Sequence, residues 1–170
     1  MNWKRGLARH FQIKPHERRL MLAMLPTKAV MAEIGVQYGY HADDMLRICE
    51  PISLDLVDIW TDERIMYIVR ARVGNDPRAT LLRMTSAEFF SLKTQRSYDA
   101  LYIDGDHSYH GALADILGAA DVVRDGGIIC GDDYDWATVK AAVKDACRQD
   151  KRLRQMFWVW RTQWWLRVTK

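Results

Sequence analysis

The sequence predicts a Rossmann-like three-layer α/β sandwich, with a mostly parallel seven-stranded sheet that ends in an antiparallel hairpin. Two patterns favour this fold class. Apolar strand-like segments alternate with helical segments along the 170 residues, which is typical of a parallel sheet covered by helices on both faces. Near the C-terminus, two tryptophan-rich strand-like segments are separated by a short turn, which is the spacing of a hairpin.

The predicted elements follow one another without a linker or a repeat. Residues 1–27 are expected to form an N-terminal helical segment, because the helical periodicity of residues 16–25 stops at Pro26. Strand-helix units come next, and two of their helices are expected to end at Gly74 and Gly126. The predicted strands are residues 28–36, 51–60, 79–85, 97–104 and 126–133, the predicted helices are residues 42–49, 61–74, 111–126 and 136–149, and the hairpin strands are residues 154–160 and 163–169.

Length and composition indicate one soluble domain, residues 1–170. A hydrophobic content of 49% is enough for one buried core. No apolar segment approaches the roughly 18 residues that a membrane span needs, and the N-terminus lacks the apolar region of a secretory signal. We therefore expect a cytoplasmic protein without a membrane partner. Cys49, Cys130 and Cys147 form no CxxC pair and are expected to be buried thiols.

The net charge of +3 is unevenly distributed. Both ends of the chain are basic, whereas residues 31–147 are acidic. Scattered Lys and Arg usually form a solvated surface, so this pattern argues against a nucleic-acid partner. An acidic centre suits a cation better than a phosphate backbone.

A glycine-containing loop follows the first predicted strand. In EIGVQYG, residues 33–39, Gly35 and Gly39 would allow a tight turn and the close approach of a ligand. The spacing differs from the GxGxxG loop of dinucleotide-binding proteins, and similar glycines occur in ordinary strand-to-helix turns. The loop alone therefore leaves both a ligand site and a simple turn open.

Polar residues at the ends of the next two strands extend this candidate site. Asp58 ends the second strand about twenty residues beyond the loop, where a carboxylate can bind both hydroxyls of a ribose. Asp55 would take that role if the strand ended sooner. After the third strand, Thr85 and Ser86 could contact an adenine edge. The same segment also has the pattern of a helix cap, with Glu88 as the capping-box acid.

Together, the acid-x-Gly-x-x-x-Gly loop, the acid that ends the second strand and the closing hairpin resemble the class I S-adenosylmethionine-dependent methyltransferases. The segment that begins YDALYIDGDHSYH and ends GGIICGDDY is similar to a branch with IDGDH and DDY motifs. Relatives in that branch include metal-dependent O-methyltransferases that act on sugars of macrolide and coumarin antibiotics. The resemblance extends from about Met31 to Lys170.

This resemblance implies a methyl donor, a metal ion and an acceptor. A divalent ion, Mg²⁺ by the resemblance, would be held by Asp104, Asp132 and Asp133. Asp104 and His107 would be the catalytic residues, with His107 taking a proton from the acceptor. The acceptor would be a hydroxyl group on a sugar or another small molecule. S-adenosylmethionine would be bound by Glu33, Gly35, Gln37, Tyr38, Gly39, His41, Asp58, Thr85, Ser86 and Asp104.

The aspartates also have a purely structural interpretation. Asp132 and Asp133 could cap the helix that begins near Trp136, since adjacent acids do serve as helix caps. Asp104 and Asp106 could lie in a solvated turn.

Three other functions stay open at this point. His107 and His110, three residues apart, could bind a transition metal together with Asp104 and support oxygenase or hydrolase chemistry. A nicotinamide-dependent oxidoreductase would use the same sheet, but it predicts the middle glycine that the loop lacks. A non-catalytic donor-binding module would keep the glycine loop without activity.

Aromatic residues add two expectations. Alternation places Trp158 and Trp160 on one face of the hairpin, and an exposed remainder would suit a homodimer. Little more than one helix precedes the first strand, so the acceptor site could be open or completed by a partner subunit. Aromatic faces for the sulfonium or for a sugar ring could come from Tyr38, Tyr40, Trp60, Tyr134 and Trp136.

Overall fold

The structure is a computed structural model that describes residues 18–92, 97–154 and 157–170. Its strands form one seven-stranded sheet in the order β3-β2-β1-β4-β5-β7-β6. The strands are β1 (Val30–Ile34), β2 (Ser53–Asp58), β3 (Ala79–Arg83), β4 (Tyr98–Ile103), β5 (Val123–Gly131), β6 (Phe157–Trp160) and β7 (Gln163–Arg167). The first five strands are parallel, and β7 pairs antiparallel with both β5 and β6. The predicted mostly parallel sheet with a closing hairpin is confirmed.

Helices cover both faces of this sheet. They are α1 (Tyr40–Ile48), α2 (Glu63–Val73), α3 (Ser86–Ser91), α4 (Tyr109–Val122) and α5 (Ala137–Gln149), and a short 3₁₀ helix spans Lys151–Leu153. Residues 18–22 are also helical, as expected for the predicted N-terminal helical segment. Residues 1–17 of that segment lie outside the described residues.

Two buried apolar clusters join the sheet to the helices, one on each face. On one face of the sheet, Leu101 packs with α4 and α5 in a cluster that includes Ile116. On the other face, Met31 packs with α1 and α2 in a cluster that includes Met45 and Val69. Because both faces are covered, the central strands carry apolar residues on both faces, with Glu33 and Asp55 as buried exceptions.

The boundary between α4 and β5 differs from the prediction. The helix ends at Val122 and the strand begins at Val123, so Gly126 does not end the helix. Val123 pairs with Tyr98, after which the register shifts and Ile128 becomes the next paired residue of β5. Gly126 lies in this irregular segment with a φ of 73°. The glycine therefore serves a bulge within the strand.

The hairpin turns at Arg161, which has a φ of 56°, and presents unequal faces. Trp164 is buried, whereas Phe157 and Trp158 of the edge strand β6 are 41% and 42% exposed. The exposed rings could contact a second copy of the chain, and the homodimer stays a prediction.

The cysteines agree with the expectation of buried thiols. Cys49 and Cys130 are buried free thiols, and Cys147 is a partly buried one.

No helix in residues 18–92, 97–154 or 157–170 combines the length and the apolar character that a membrane crossing requires.

The ends of β1 and β4 approach each other closely at Gly35. The backbone N–H of Asp104 donates to Ile34 O at 2.7 Å, and Gly35 has a φ of +85°. A Cβ atom on Gly35 would lie 2.2 Å from Asp104 O, well inside any allowed contact distance. Gly35 is therefore required both for its positive φ and for the space that it leaves to the β4 backbone.

Gly35→Ala is expected to lower the free energy of unfolding by more than about 3 kcal/mol or to prevent folding, because the added methyl group overlaps the backbone. Gly126→Ala is the matched control, since Gly126 also has a φ of +73° but nothing lies within 4 Å of its Cβ position. Its cost should stay near 1–2 kcal/mol, roughly the price of the left-handed conformation alone. Urea unfolding followed by circular dichroism measures both, and equal costs would contradict the steric explanation.

Candidate functional site

A cleft of about 1140 Å³ lies where the carboxyl ends of β1, β2, β3 and β4 meet. Open α/β sheets bind their ligands at this edge. Gly39 is not among the described residues that line the cleft; it precedes α1 with a φ of 73° and allows that helix to begin. The predicted donor-binding residues that line the cleft are Glu33, Gly35, Gln37, Tyr38, His41, Asp58, Thr85, Ser86 and Asp104.

Asp58 holds the glycine-containing loop in place. Its Oδ2 accepts hydrogen bonds from the backbone N–H groups of Val36 and Gln37, at 2.9 and 2.8 Å. Its Oδ1 accepts one from the backbone of Trp60 at 2.9 Å. Asp55, the alternative ribose ligand, instead accepts a hydrogen bond from the buried Tyr98 hydroxyl at 2.7 Å. Since β2 ends at Asp58, this is the carboxylate that reaches the cleft.

Glu33 and His41 form a buried pair at one end of the cleft. His41 Nδ1 lies 3.0 Å from Glu33 Oε1. The other polar atoms of the two side chains, Glu33 Oε2 and His41 Nε2, have no hydrogen-bond partner among the described residues. Burial raises the pKa of Glu33, and the neighbouring His41 lowers it in part. Two unsatisfied buried atoms at a cleft wall are the feature expected of a site for a polar ligand.

The opposite end of the cleft lies after β3. Thr85 caps α3 in a full capping box with Glu88, so the structural interpretation of this segment is confirmed. Ser86, the first residue of α3, lines the cleft, and its hydroxyl favours the ionised form of the nearby Asp115 of α4. Asp115 was not among the predicted site residues, because it is one of two acids, with Asp121, in the mostly apolar segment GALADILGAADV and no motif distinguishes it.

Burial makes the ionised form of the Asp115 carboxyl group less favourable than it is in water. Its side chain is 3% exposed and lines the cleft. Burial raises the pKa of Asp115 to about 6, and hydrogen bonding from Ser86 offsets part of the increase.

Arg18 joins two of the aspartates that were predicted to bind a metal. Its Nη2 lies 2.8 Å from Asp104 Oδ2 and 2.6 Å from Asp132 Oδ2, and its Nε donates to Asp132 Oδ2 at 2.8 Å. Gln163 of the hairpin donates to Asp132 Oδ1 at 2.5 Å. Both oxygens of Asp132 are thus engaged by the protein, and Asp132 is not among the cleft-lining residues that the structure describes.

His107 joins the remaining carboxylates. Its Nε2 lies 2.7 Å from Asp133 Oδ2 and 3.4 Å from Asp104 Oδ1. Hydrogen bonds to Asp104 and Asp133 raise the pKa of His107 to about 10, although partial burial opposes the charge. At neutral pH the ring is therefore an imidazolium. Within the described residues, Asp104, His107 and Asp133 also form a group whose donor atoms could hold one metal ion.

Of the alternative roles predicted for the neighbouring residues, the turn at Asp106 is the one that the structure supports. His110 is exposed and packs against Tyr109, outside the candidate metal group. Asp106 is indeed part of a turn, because its two oxygens accept hydrogen bonds from the backbone and hydroxyl of Ser108. The cap position of α5 is held by Trp136 rather than by either neighbouring aspartate.

The aromatic residues divide into supporting and cleft-lining groups. Trp60 is buried and donates from Nε1 to Gln37 O at 3.1 Å, so it supports the loop instead of facing a ligand. Tyr134 is buried and, among the described residues, not part of the cleft lining. Trp136 lies at the cleft with its ring centroid 5.1 Å from that of His107. The cleft-lining aromatic residues are Tyr38, Tyr40 and Trp136.

Residues 32–134 match the family model described as a methyltransferase domain. The fold is shared with an O-methyltransferase from Bacillus cereus in complex with SAH, at a TM-score of 0.71, 15% identity, and coverage of 94% of this chain and 81% of that one. The N-methyltransferase NodS from Bradyrhizobium japonicum WM9, in complex with S-adenosyl-L-homocysteine, gives 0.69 at 12% identity, with 94% and 88% covered. An rRNA methylase from Streptococcus thermophilus gives 0.68 at 14% identity, with 91% and 96% covered. No curated protein sequence matches the chain.

Asp133→Asn is expected to lower the pKa of His107 by at least about one unit, because it removes the carboxylate at 2.7 Å. Asp135→Asn, an exposed aspartate two residues away, is the matched control and should leave that pKa unchanged. NMR titration of the imidazole resonances in metal-free buffer gives both values. A wild-type His107 that loses its proton near pH 6.5 would contradict the ion-pair geometry.

Proposed function

The chain belongs to the methyltransferase domain family, and on this basis we propose that it transfers a methyl group from S-adenosylmethionine to a hydroxyl group of a small molecule. The observation that carries the proposal is the cleft itself. It brings together, at the carboxyl ends of four strands, nine of the ten residues expected to bind the donor. The glycine-containing loop, the acid at the end of β2 and the polar end of β3 thus border one continuous space.

In the proposed orientation, the donor lies across the ends of β1 and β2. Asp58 Oδ1 accepts one hydrogen bond from the described residues, so this oxygen retains a lone pair for a ribose hydroxyl. Glu33 Oε2 can accept from the ammonium group of the donor, and His41 Nε2 is a second unpaired polar atom for the same amino-acid end of the donor. Gly35 lets the donor approach the loop backbone without obstruction from a Cβ atom.

The reaction needs alignment and a place for one proton. S-adenosylmethionine supplies an electrophilic methyl group on a positively charged sulfur; the bond from sulfur to carbon breaks as the acceptor oxygen forms its bond to carbon. The chain holds both reactants in line and excludes water. The hydroxyl proton passes to the cluster of Asp104, His107 and Asp133, whose two carboxylates outnumber its one imidazolium.

The same cluster fits a divalent cation, with His107 in place of Asp132 beside the two other predicted ligands, Asp104 and Asp133. Asp132 is engaged by Arg18 and Gln163, whereas Asp104, His107 and Asp133 offer two carboxylates and one imidazole. An imidazole in the ligand set suits Mn²⁺ or Zn²⁺ better than Mg²⁺. When bound there, such an ion would polarise the acceptor hydroxyl and lower its pKa.

The cleft rim suits a ring-shaped acceptor. Tyr38, Tyr40 and Trp136 line the cleft and are 39%, 67% and 50% exposed, and the Arg72 guanidinium already covers one face of the Tyr40 ring. Aromatic faces pack well against the apolar faces of flat or sugar-like rings. A sugar or another small cyclic hydroxyl compound is the acceptor class that this rim favours.

Isothermal titration with S-adenosylhomocysteine tests donor binding without knowledge of the acceptor. Wild type is expected to bind it with a micromolar Kd and to ignore NADH. Glu33→Gln should weaken binding by about 10- to 100-fold, because a charged hydrogen bond to the ammonium group is lost. Glu63→Gln, an exposed residue paired with Arg83, is the matched control. Failure of wild type to bind S-adenosylhomocysteine, or preferential binding of NADH, would overturn the proposed function.

Metal binding can be measured separately from activity. Mn²⁺ titration followed by electron paramagnetic resonance should show one bound ion in wild type, and Asp133→Asn should weaken its binding by at least about tenfold. Asp135→Asn should bind Mn²⁺ as wild type does. The three-residue cluster is not a metal site if wild type binds no Mn²⁺ at millimolar concentration.

A further inference from the structure

We infer that Asp115 recognises the exocyclic amino group of the donor's adenine and thereby selects an adenine over a 6-oxo base. This inference rests on the proposed function, because it assigns a role within the donor cleft. Asp115 belongs to α4, outside the glycine-containing loop and outside all strand ends that the sequence motifs cover.

Asp115 lies in the cleft near the ends of β1 and β4 and close to Ser86, which follows β3. The side chain is buried and lines the cleft together with Met84 and Ser86. Its Oδ2 lies 3.3 Å from the position that a Cβ atom on Gly105 would take, so the carboxyl group sits close to the backbone at the end of β4. Ile34 Cγ2 lies 3.4 Å from the same position, so Asp115 is next to the ends of both β1 and β4.

The neighbouring polar groups are already committed to the fold. Thr85 and Glu88 bond to each other in the capping box. Both oxygens of Asp106 accept from Ser108, and Asp58 accepts three backbone hydrogen bonds. For Asp115, the favourable polar interaction found within the described residues comes from the Ser86 hydroxyl, and a carboxylate has several lone pairs with which to accept from a ligand as well.

The chemistry of the cleft around Asp115 matches one edge of adenine. Val57, Ile59 and Met84 line the same cleft and give it apolar walls suited to a flat base. An ionised carboxylate only accepts hydrogen bonds, and the exocyclic amino group of adenine donates them. Because burial raises the pKa of Asp115 to about 6, the group is still ionised at neutral pH. A base with a 6-oxo group would instead bring an acceptor against a carboxylate.

A bound ligand would also account for a carboxyl group in this buried position. A buried acid with a raised pKa reduces the stability of the folded protein when it is ionised. An apolar residue would be more favourable for packing α4 alone. A ligand that donates to the carboxylate provides a reason for the charge.

The test compares S-adenosylhomocysteine with S-inosylhomocysteine, its 6-oxo analogue, by isothermal titration at pH 7.5. Wild type should bind S-adenosylhomocysteine about 10- to 100-fold more tightly, because the analogue leaves the carboxylate facing an acceptor. Asp115→Asn should reduce this ratio to below about threefold, since an amide can also donate to the 6-oxo group. Asp121→Asn, an exposed residue of the same helix, should keep the wild-type ratio.

The outcomes separate the two proposals. If wild type binds neither compound, the proposed function fails. If wild type binds both equally, or if Asp115→Asn folds and keeps the wild-type ratio, the role of Asp115 is wrong while donor binding stands. Thermal unfolding shows whether Asp115→Asn folds. If the variant does not fold, the ratio of the two wild-type affinities alone decides whether the role of Asp115 stands.

Discussion

The close contact between the ends of β1 and β4 is the constraint on which the site depends. Because Gly35 carries no Cβ, the backbone of Asp104 can lie directly against it and donate to Ile34 O. This contact brings the loop after β1 next to the acidic segment after β4. Asp58 then ties the same loop to β2 through its backbone N–H groups. Three strand ends are thus held together before any side chain contacts a ligand.

Charge pairing organises the acids that this backbone arrangement gathers. Carboxylates from neighbouring strand ends repel one another unless a cation or a shared proton lies between them. The chain supplies both, with Arg18 between Asp104 and Asp132 and the protonated His107 between Asp104 and Asp133. Asp104 is the shared member of the two pairs, so the charge state of one pair affects the other.

Local sequence patterns predicted those features of the molecule that depend on residues close together in the chain. The succession of strands and helices, the closing hairpin, the glycine-containing loop and the strand end at Asp58 follow from hydrophobic patterning and from glycine and acid spacing. The partners of the acids could not be predicted, because Arg18 reaches Asp132 across 114 positions of the chain. Asp115 was missed for the same reason, since its meeting with Ser86 depends on how α4 packs beside α3.

Arg18 and Gln163 both lie outside residues 32–134, the part of the chain that matches the family. A fragment cut at those limits would retain Asp104, Asp132 and Asp133 yet lose the guanidinium and the amide that hold Asp132. Mutual repulsion would then favour proton uptake or outward rotation of the aspartates. A fragment that keeps Asp132 paired as in the whole chain must therefore extend beyond residues 32–134 on both sides.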